Sequence, residues 1–457
     1  MTAMKTPTRL LTISDLTLVQ TATVDRLYDC DLTFLIAVMG SGKTVSTLTA
    51  ASELLAEGVI TRVLVFAPLK VCDNVWQFEH EKWEHLKHLR VHVATGDAKQ
   101  RKAAVEVNSD ILVVNIENLP WFFETFKDGH GCDGLVIDEL SKFKANSSKG
   151  VKKLKRRLAP FKWVVGMTGT PVAENWTGLY SQMIVLDGGK RLGTNHQVFL
   201  DKYFYPTDHM RLNWALRDGS AELLVEAISD VVYTMPSYTD ELPPIEYWVE
   251  DVTMPKEARV IYDKLKKDML VQIEEGELVV ASNAAVLTNK LLQAASGFLY
   301  TDEGVESLHY AKLDCVQRLI DEATGPVLLA YWFDADKEAL AAMLGCPIYG
   351  QSKSKVKTKI LEDEWNAGKH KVMMLHPASA SHGLNLQAGG CVVIWFGPVW
   401  SRDMFTQLNA RLWRKGQTKP VDVVVIETVG TIDALVSARV SEKGKHDTLL
   451  MKHLLER

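Results

Sequence analysis

The sequence predicts an α/β protein built from two parallel-sheet lobes, and three observations carry that prediction. Short β-branched runs alternate with longer amphipathic segments in two separate series along the chain. The first apolar run, Leu32 to Ile36, leads into Ala37-Val38-Met39-Gly40-Ser41-Gly42-Lys43-Thr44 and then a helical-looking stretch, the setting that a triphosphate-binding loop requires. The length of 457 residues exceeds one ordinary domain and gives two or three domains a core each.

The first series reads as buried parallel strands at Thr33 to Val38, Arg62 to Ala67, Ile111 to Asn115, Leu135 to Asp138 and Trp163 to Met167. The second runs through Val327 to Phe333, Val372 to Leu375, Val392 to Phe396 and Val421 to Glu427, separated by helical patterns such as Lys337 to Leu344 and Arg402 to Trp413. Between them aromatic and charged residues dominate, with a break at Leu242-Pro243-Pro244 and a helical stretch from Lys256 to Glu275. The expected organisation is an N-terminal lobe over residues 1–185, a mainly helical insert or linker over 186–310, and a second lobe over 311–457.

Composition narrows the class. Hydrophobic content of 47% and charged content of 24% belong to a soluble globular chain, not to a disordered or fibrous one. With a net charge of −5, any nucleic-acid partner must meet a local basic groove and not a uniformly basic shell. The six cysteines are scattered without a Cys-x-x-Cys pair, so neither a zinc knuckle nor a disulfide framework is indicated and a reducing cytoplasm is the default. Lys5 and Arg9 precede only a short Thr-rich stretch, and no apolar segment reaches spanning length, so no signal peptide or membrane anchor is expected. His80, His85 and His88 lie among Glu79, Glu81 and Glu84; only His85 and His88 share a tight helical spacing, which favours a surface helix over a metal site. Two basic clusters, Lys149 to Arg157 and Lys353, Lys355, Lys357 and Lys359, suit either phosphates or a solvated helix face.

Four segments carry chemistry. In the loop, the small residues Gly40, Ser41 and Gly42 let successive backbone N–H groups face a phosphate, Lys43 supplies a point charge, and the Thr44 hydroxyl can ligate Mg²⁺. Further on, the run Leu135-Val136-Ile137 ends in Asp138 and Glu139, acids at the carboxyl edge of a parallel sheet, where one can hold a metal and the next position a water. Met167-Thr168-Gly169-Thr170-Pro171 closes another strand with two hydroxyls and a turn. Near the other end, Gln407, Arg411, Arg414, Gly416 and Gln417 form a pattern whose arginines, three apart, fall on one helix face and suit either a γ-phosphate or a salt-bridged surface.

Taken in order, these segments resemble the motifs of superfamily two helicases, and more narrowly the Swi/Snf-type branch of DNA-dependent ATPases. The resemblance covers nearly the whole chain. Ala37 to Thr44 is similar to motif I; Val65 to Lys70, with Asn74, Trp76 and Glu79, to motif Ia; Val114 to Glu117 to motif Ib. Asp138 and Glu139, trailed by Ser141 to Asn146, resemble motif II and the Lys-Asn element of this branch. Thr168 to Pro171 with Asn175 and Leu179 to Ser181 resembles motif III, Leu328 to Tyr331 motif IV, Ser379 to Leu386 motif V, and Gln407 to Gln417 motif VI. Three departures stand out: Ala37-Val38 in place of an acidic pair, Ala380-Ser381 in place of a Gly pair, and Leu140 in place of a small residue. Together with the lack of long insertions, these are closer to compact phage or bacterial members than to chromatin remodellers.

The resemblance implies two RecA-like lobes with ATP and Mg²⁺ in the cleft between them. Lys43 and the loop would hold the phosphates, and Thr44 and Asp138 the metal. Glu139 would orient or deprotonate the attacking water. Gln407, Arg411 and Arg414 would act from the second lobe. Gln20 is placed to read adenine, and Pro68, Lys70, Asn115, Thr168, Ser379 and Asn385 to lie at the nucleic-acid face. The activity implied is that of an ATP-dependent DNA helicase or translocase preferring duplex to single-stranded DNA, monomeric when free, in the cytoplasm, or the host cytoplasm for a phage product. The alternatives are an ATP-switched DNA clamp or annealing factor and an RNA helicase of the same superfamily.

Overall fold

The computed structural model describes residues 9–38, 40–127, 129–143, 148–172, 176–236, 242–275, 281–352, 354–380 and 384–441. The chain forms two compact units, with the change between residues 238 and 239. In the first, strands β1 (Leu32–Ile36), β2 (Val63–Ala67), β3 (Val91–Ala94), β4 (Ile111–Asn115), β5 (Gly134–Asp138) and β6 (Trp163–Thr168) are joined, after a small hairpin of β7 (Phe204–Pro206) and β8 (Trp214–Leu216), by β9 (Val232–Thr234). They form a parallel sheet in the order β3-β4-β2-β5-β6-β1-β9.

Side chains alternate across a strand, so each strand feeds two cores. Phe34, Ile36, Leu64, Phe66, Leu112, Val114, Leu135 and Ile137 pack on one face of the sheet. Leu35, Val63, Val65, Ile111, Val113 and Val136 pack on the other. Burial on both faces is why these strands read as continuous apolar runs, and each fully buried Val or Leu contributes roughly 1.5–3 kcal/mol. Leu140, the departure in motif II, is itself core: together with Leu186 it fills the space above Gly166 of β6, where a Cβ would lie 2.9 Å from Leu140 and 2.7 Å from Leu186.

The second unit repeats the plan. Strands β10 (Ile245–Val252), β13 (Val327–Ala330), β14 (Ile348–Tyr349), β15 (Val372–Leu375), β16 (Val392–Trp395) and β17 (Val421–Thr428) form a parallel sheet ordered β10-β17-β16-β13-β15-β14, beside a hairpin of β11 (Phe298–Thr301) and β12 (Gly304–Ser307). Val327, Leu329, Val372, Met374, Val392 and Ile394 face one core, and Leu328, Ala330, Met373, Leu375, Val393 and Trp395 the other.

The two-lobed parallel α/β class therefore holds, but the stretch 186–310 is not a separate body. Its helices His196–Tyr203 and Ser220–Ile228 and strand β9 belong to the first unit, while β10 and the helices Lys256–Glu275 and Ala281–Ser296 belong to the second. The reason is local. β10 reads Ile-Glu-Tyr-Trp-Val-Glu-Asp-Val because it is an edge strand exposed along most of its length, so no buried run announces it. Leu242-Pro243-Pro244 is the entry to that strand, and the Pro244 carbonyl accepts from Val421 N at 2.9 Å.

A buried ion pair ties the second unit together. Lys312 Nζ and Asp433 Oδ2 are 2.6 Å apart with side chains 0% and 1% exposed. Lys312 also donates to the Ile426 carbonyl at 3.2 Å, Asp433 accepts from Thr428 N at 3.0 Å, and Thr428 Oγ1 donates to the Ala295 carbonyl at 2.7 Å. The helices Ala281–Ser296 and Ala311–Glu322 are thereby fixed to the end of β17. Asp336, buried close by, has its carboxyl pushed up to about 7 by that burial. Replacing Lys312 by Met leaves Asp433 charged and unpaired in the interior, and a loss of about 3–5 kcal/mol is expected. Urea unfolding of the second unit checks this; an unchanged midpoint contradicts it.

Candidate functional site

Parallel strands all end at one edge, and the register fixes which residues arrive there together. Ala67 is opposite Asn115, Asp138 opposite Met167, and Ile36 opposite Thr168. Asn115, Pro68, Asp138, Thr168 and the loop after β1 therefore form one row along the carboxyl edge of the first sheet, where open α/β sheets bind ligands.

The loop is shaped by two left-handed glycines, Gly40 (φ 82°) and Gly42 (φ 88°), the latter capping the helix Lys43–Ala56. A second constraint falls on Gly42. Gln20 Nε2 donates to the Ser41 carbonyl at 3.2 Å, and a Cβ on Gly42 would lie 2.0 Å from that nitrogen. Gln20 is held there by a capping box, its Oε1 accepting from Thr17 N at 2.9 Å. The amide is thus a brace for the loop after β1. Ala37 N donates to the Thr168 carbonyl at 2.9 Å, which joins the loop to β6. Ser41 Oγ is buried without a hydrogen-bond partner among the described residues, as a hydroxyl facing an anionic ligand would be.

Lys43 heads the helix with Nζ 3.8 Å from Asp138 Oδ1, both side chains largely buried. The other carboxylate oxygen of Asp138 accepts from Trp76 Nε1 at 2.9 Å. Trp76 was legible only as part of the motif Ia likeness; its bond fixes the orientation of the acid. Glu139 adopts a left-handed backbone (φ 74°), uncommon for a residue with a Cβ. Its Oε1 accepts from Ser141 Oγ and, at 3.4 Å, from Thr168 Oγ1. Thr168 Oγ1 accepts in turn from Thr170 N at 3.1 Å. Thr168, expected at a nucleic-acid face, is fully buried against the acid, so its hydroxyl couples this strand end to Glu139.

Among the described residues no group of three or more His, Cys, Asp or Glu side chains is placed to hold a metal. Asp138 with the Thr44 hydroxyl suits Mg²⁺, which is held by one or two protein oxygens plus substrate phosphates and water instead of an all-protein cage. His85 and His88 bond side chains of the helix after the loop. The expected surface helix is a series of short turns, in which His85 Nε2 meets Thr49 Oγ1 at 3.0 Å and His88 Nε2 meets Ser52 Oγ at 3.1 Å, pinning the segment to the Lys43–Ala56 helix. Lys70 is half-buried behind Pro68, which caps the turn Leu69–Val71.

In the second unit, the helix Arg402–Asn409 carries Gln407 but ends before the two arginines. Arg411 and Arg414 do not share a helix face; they sit in successive turns closed by Arg411 N to Leu408 O (2.9 Å) and Gln417 N to Arg414 O (2.9 Å), with Gly416 left-handed (φ 97°). The turns still bring both guanidinium groups to one acceptor, the Leu384 carbonyl, at 3.4 and 2.9 Å. Arg411 is 2% exposed, and burial beside Arg414 lowers its pKa to about 9, which leaves it charged at neutral pH. Gln417 is a brace: its amide donates to the Gln387, Gly390 and Leu412 carbonyls and accepts from Thr418 N and Lys419 N. Ser379 lies in the turn Pro377–Ala380 after β15, beside Gly350, and Asn385 is exposed with its carbonyl bonded by Asn366.

In the basic run, Lys153 pairs with Glu124, Lys155 bonds the Thr194 carbonyl and Arg157 the Lys127 carbonyl, which leaves Lys149, Lys152 and Arg156 as its exposed charges. Lys359 is paired with Glu362 and Asp363. Met39, Lys144 to Asn146, Asn175 and Ser381 to Gly383 of the motif reading, and Lys353 of the second basic cluster, lie outside the described residues. No described helix is long and apolar enough to cross a membrane.

Comparison with known proteins adds to this geometry. The model of the SNF2-related domain matches residues 31–295, more than half of the chain. Protein p41 of Acyrthosiphon pisum secondary endosymbiont phage 1 is 31% identical over 94% of this chain and 96% of its own length. An ATP-dependent helicase of Mycoplasma genitalium is 25% identical over 92% of the chain, and the chicken DNA repair and recombination protein RAD54-like is 24% identical over 89%. The chain spans 40% and 62% of those two relatives. A solved SWI2/SNF2 ATPase core of Sulfolobus solfataricus in complex with double-stranded DNA aligns over 92% of this chain and 88% of that one, at 22% identity and a TM-score of 0.42. By the span of the domain match and by its full-length likeness to the phage protein, this chain belongs to the SNF2-related family.

Proposed function

We propose that the chain is an ATPase whose turnover is stimulated by DNA and drives its movement along the duplex. The observation that carries this reading is the cluster at the carboxyl edge of the first sheet, where Lys43 faces Asp138 and Glu139 is gripped by Ser141 and Thr168 beside a two-glycine loop. The loop N–H groups and Lys43 bind the phosphates of ATP. Thr44 and Asp138 would hold Mg²⁺, which when bound neutralises developing charge on the phosphate oxygens. Glu139 takes the proton of the attacking water on the oxygen not used by Ser141 and Thr168. Thr168 makes that acid responsive to the strand end on which it sits, next to the DNA-contact residues proposed at Pro68, Lys70 and Asn115.

Arg411 and Arg414 are proposed to stabilise the γ-phosphate from the second unit, with Gln407 beside them, so that turnover requires both units. What supports this is that both guanidinium groups converge on the Leu384 carbonyl, which presents two cations together, as a phosphate requires. Ser379 and Asn385 are proposed DNA contacts of that unit, made to phosphates and therefore without sequence preference. Gln20 is proposed to read adenine in addition to bracing the loop. Duplex as the preferred track, translocation without obligatory strand separation, a monomeric state and a cytoplasmic location complete the proposal.

Lys43→Ala is expected to abolish ATP binding and hydrolysis. Glu139→Gln is expected to bind ATP but to lose turnover by about 10²–10⁴-fold, the range of a general base. Fluorescent-nucleotide binding alongside phosphate release separates the two; hydrolysis persisting in Glu139→Gln sinks the base assignment. Arg414→Ala is expected to retain ATP binding and lose about 10³-fold or more in turnover. Normal phosphate release by that variant removes the second unit from the chemistry.

A further inference from the structure

The hairpin of β7 and β8 belongs to no motif, and its tip is unusual in what it presents. Met210 is 74% and Leu212 70% exposed, with the exposed Arg211 between them and His209 alongside. Large apolar side chains this exposed, side by side on a projecting turn, are not a feature of a folding core. Nor is the tip loose. Asp208 accepts from Leu212 N at 3.0 Å and Asn213 N at 2.6 Å, its carbonyl accepts from Arg211 N at 3.1 Å, and Thr207 N donates to the Asn213 carbonyl at 2.9 Å. Trp214 Nε1 closes the base of the turn on the Arg211 carbonyl at 3.0 Å. Arg211 is held in the left-handed region (φ 55°), a conformation that persists only where such bonds over-determine it.

Topology places the tip. The helix Ser220–Ile228 leads back to the amino end of β9, where the Val231 carbonyl accepts from Phe34 N, so the helix starts towards the carboxyl edge of the first sheet, and with it the base of the hairpin, tied there by Arg217 N to the Tyr203 carbonyl and Ser220 N to the Arg217 carbonyl, each at 3.0 Å. That is the edge carrying the phosphate loop, Pro68 and Asn115. Asp208 and Arg211 balance in net charge, but the Asp208 carboxylate is turned onto the Leu212 and Asn213 N–H groups, while Arg211 is exposed at the tip.

A rigid turn that offers two apolar side chains flanking a cation matches the chemistry of side chains that enter at a base step and unstack it while a base holds the phosphate alongside. We propose that this hairpin is a DNA wedge, with Met210 and Leu212 inserting at a base step of the duplex and Arg211 contacting the adjacent phosphate. The proposal rests on the reading that the chain binds DNA, and it adds a sequence-independent distortion of the track.

The test uses the full chain and a short duplex carrying 2-aminopurine, whose fluorescence rises on unstacking. Wild type is expected to raise the signal at least about twofold. Met210→Ser/Leu212→Ser is expected to return it to the level of free duplex at saturating protein, and the apolar swap Met210→Leu/Leu212→Met to restore it. Equal thermal unfolding of the variants shows that the tip alone has changed. A double-serine variant as bright as wild type, or a wild-type signal no higher than free duplex, overturns the wedge. DNA stimulation of ATP hydrolysis by the wild-type chain, measured in parallel, reports separately whether the underlying DNA reading stands.

Discussion

Parallel strand register is the constraint from which the site follows. Because β1, β2, β4, β5 and β6 run the same way and are held in register, Ile36, Ala67, Asn115, Asp138 and Thr168 must surface at one edge, although Ile36 and Thr168 are far apart in the chain. A one-residue slip of β5 against β6 would turn Asp138 to the other face and part Glu139 from Thr168. The apolar alternation that fills both cores forbids such a slip, since it would exchange the two faces of every strand concerned. Core packing and site geometry are therefore one fact in this unit.

The acids are then oriented by their neighbours. Asp138 is shared by Lys43 and the Trp76 indole, and Glu139 by two hydroxyls, so each carboxylate keeps a fixed orientation in a largely buried edge. The second unit handles its charges differently. Its Lys312–Asp433 pair is fully buried and serves to lock helices to β17, whereas Arg411 and Arg414 share one backbone carbonyl. Two guanidinium groups brought to one carbonyl present their charges together, which is why these two residues carry the functional reading and Lys312, closed on Asp433, the structural one.

Much of this was legible in the chain because doubly buried strands leave a plain signature. The five expected strands of the first series and the four of the second all occur, within a few residues at each end. What escaped was what the pattern cannot encode. β3, β9 and β14 are short edge strands, and β10 mixes charged, aromatic and aliphatic residues on an exposed edge. The helix expected to carry Arg411 and Arg414 stops at Asn409, because Leu412 turns into the core and Gln417 gathers three carbonyls around the turn. The hydrogen bond of Gln20 to the Ser41 carbonyl, beside the adenine reading, is a contact that only three-dimensional proximity reveals. The hairpin tip left no mark beyond an exposed Met-Arg-Leu, since a wedge needs neither periodicity nor a motif.

The account stands or falls on whether nucleic acid drives this active edge. Steady-state phosphate release by the full chain at saturating ATP, compared without nucleic acid and with duplex DNA, single-stranded DNA and RNA, is the measurement to make. Many-fold stimulation by duplex DNA, weaker stimulation by single strands and little by RNA is the expected result. A rate that is the same in all four conditions would contradict it.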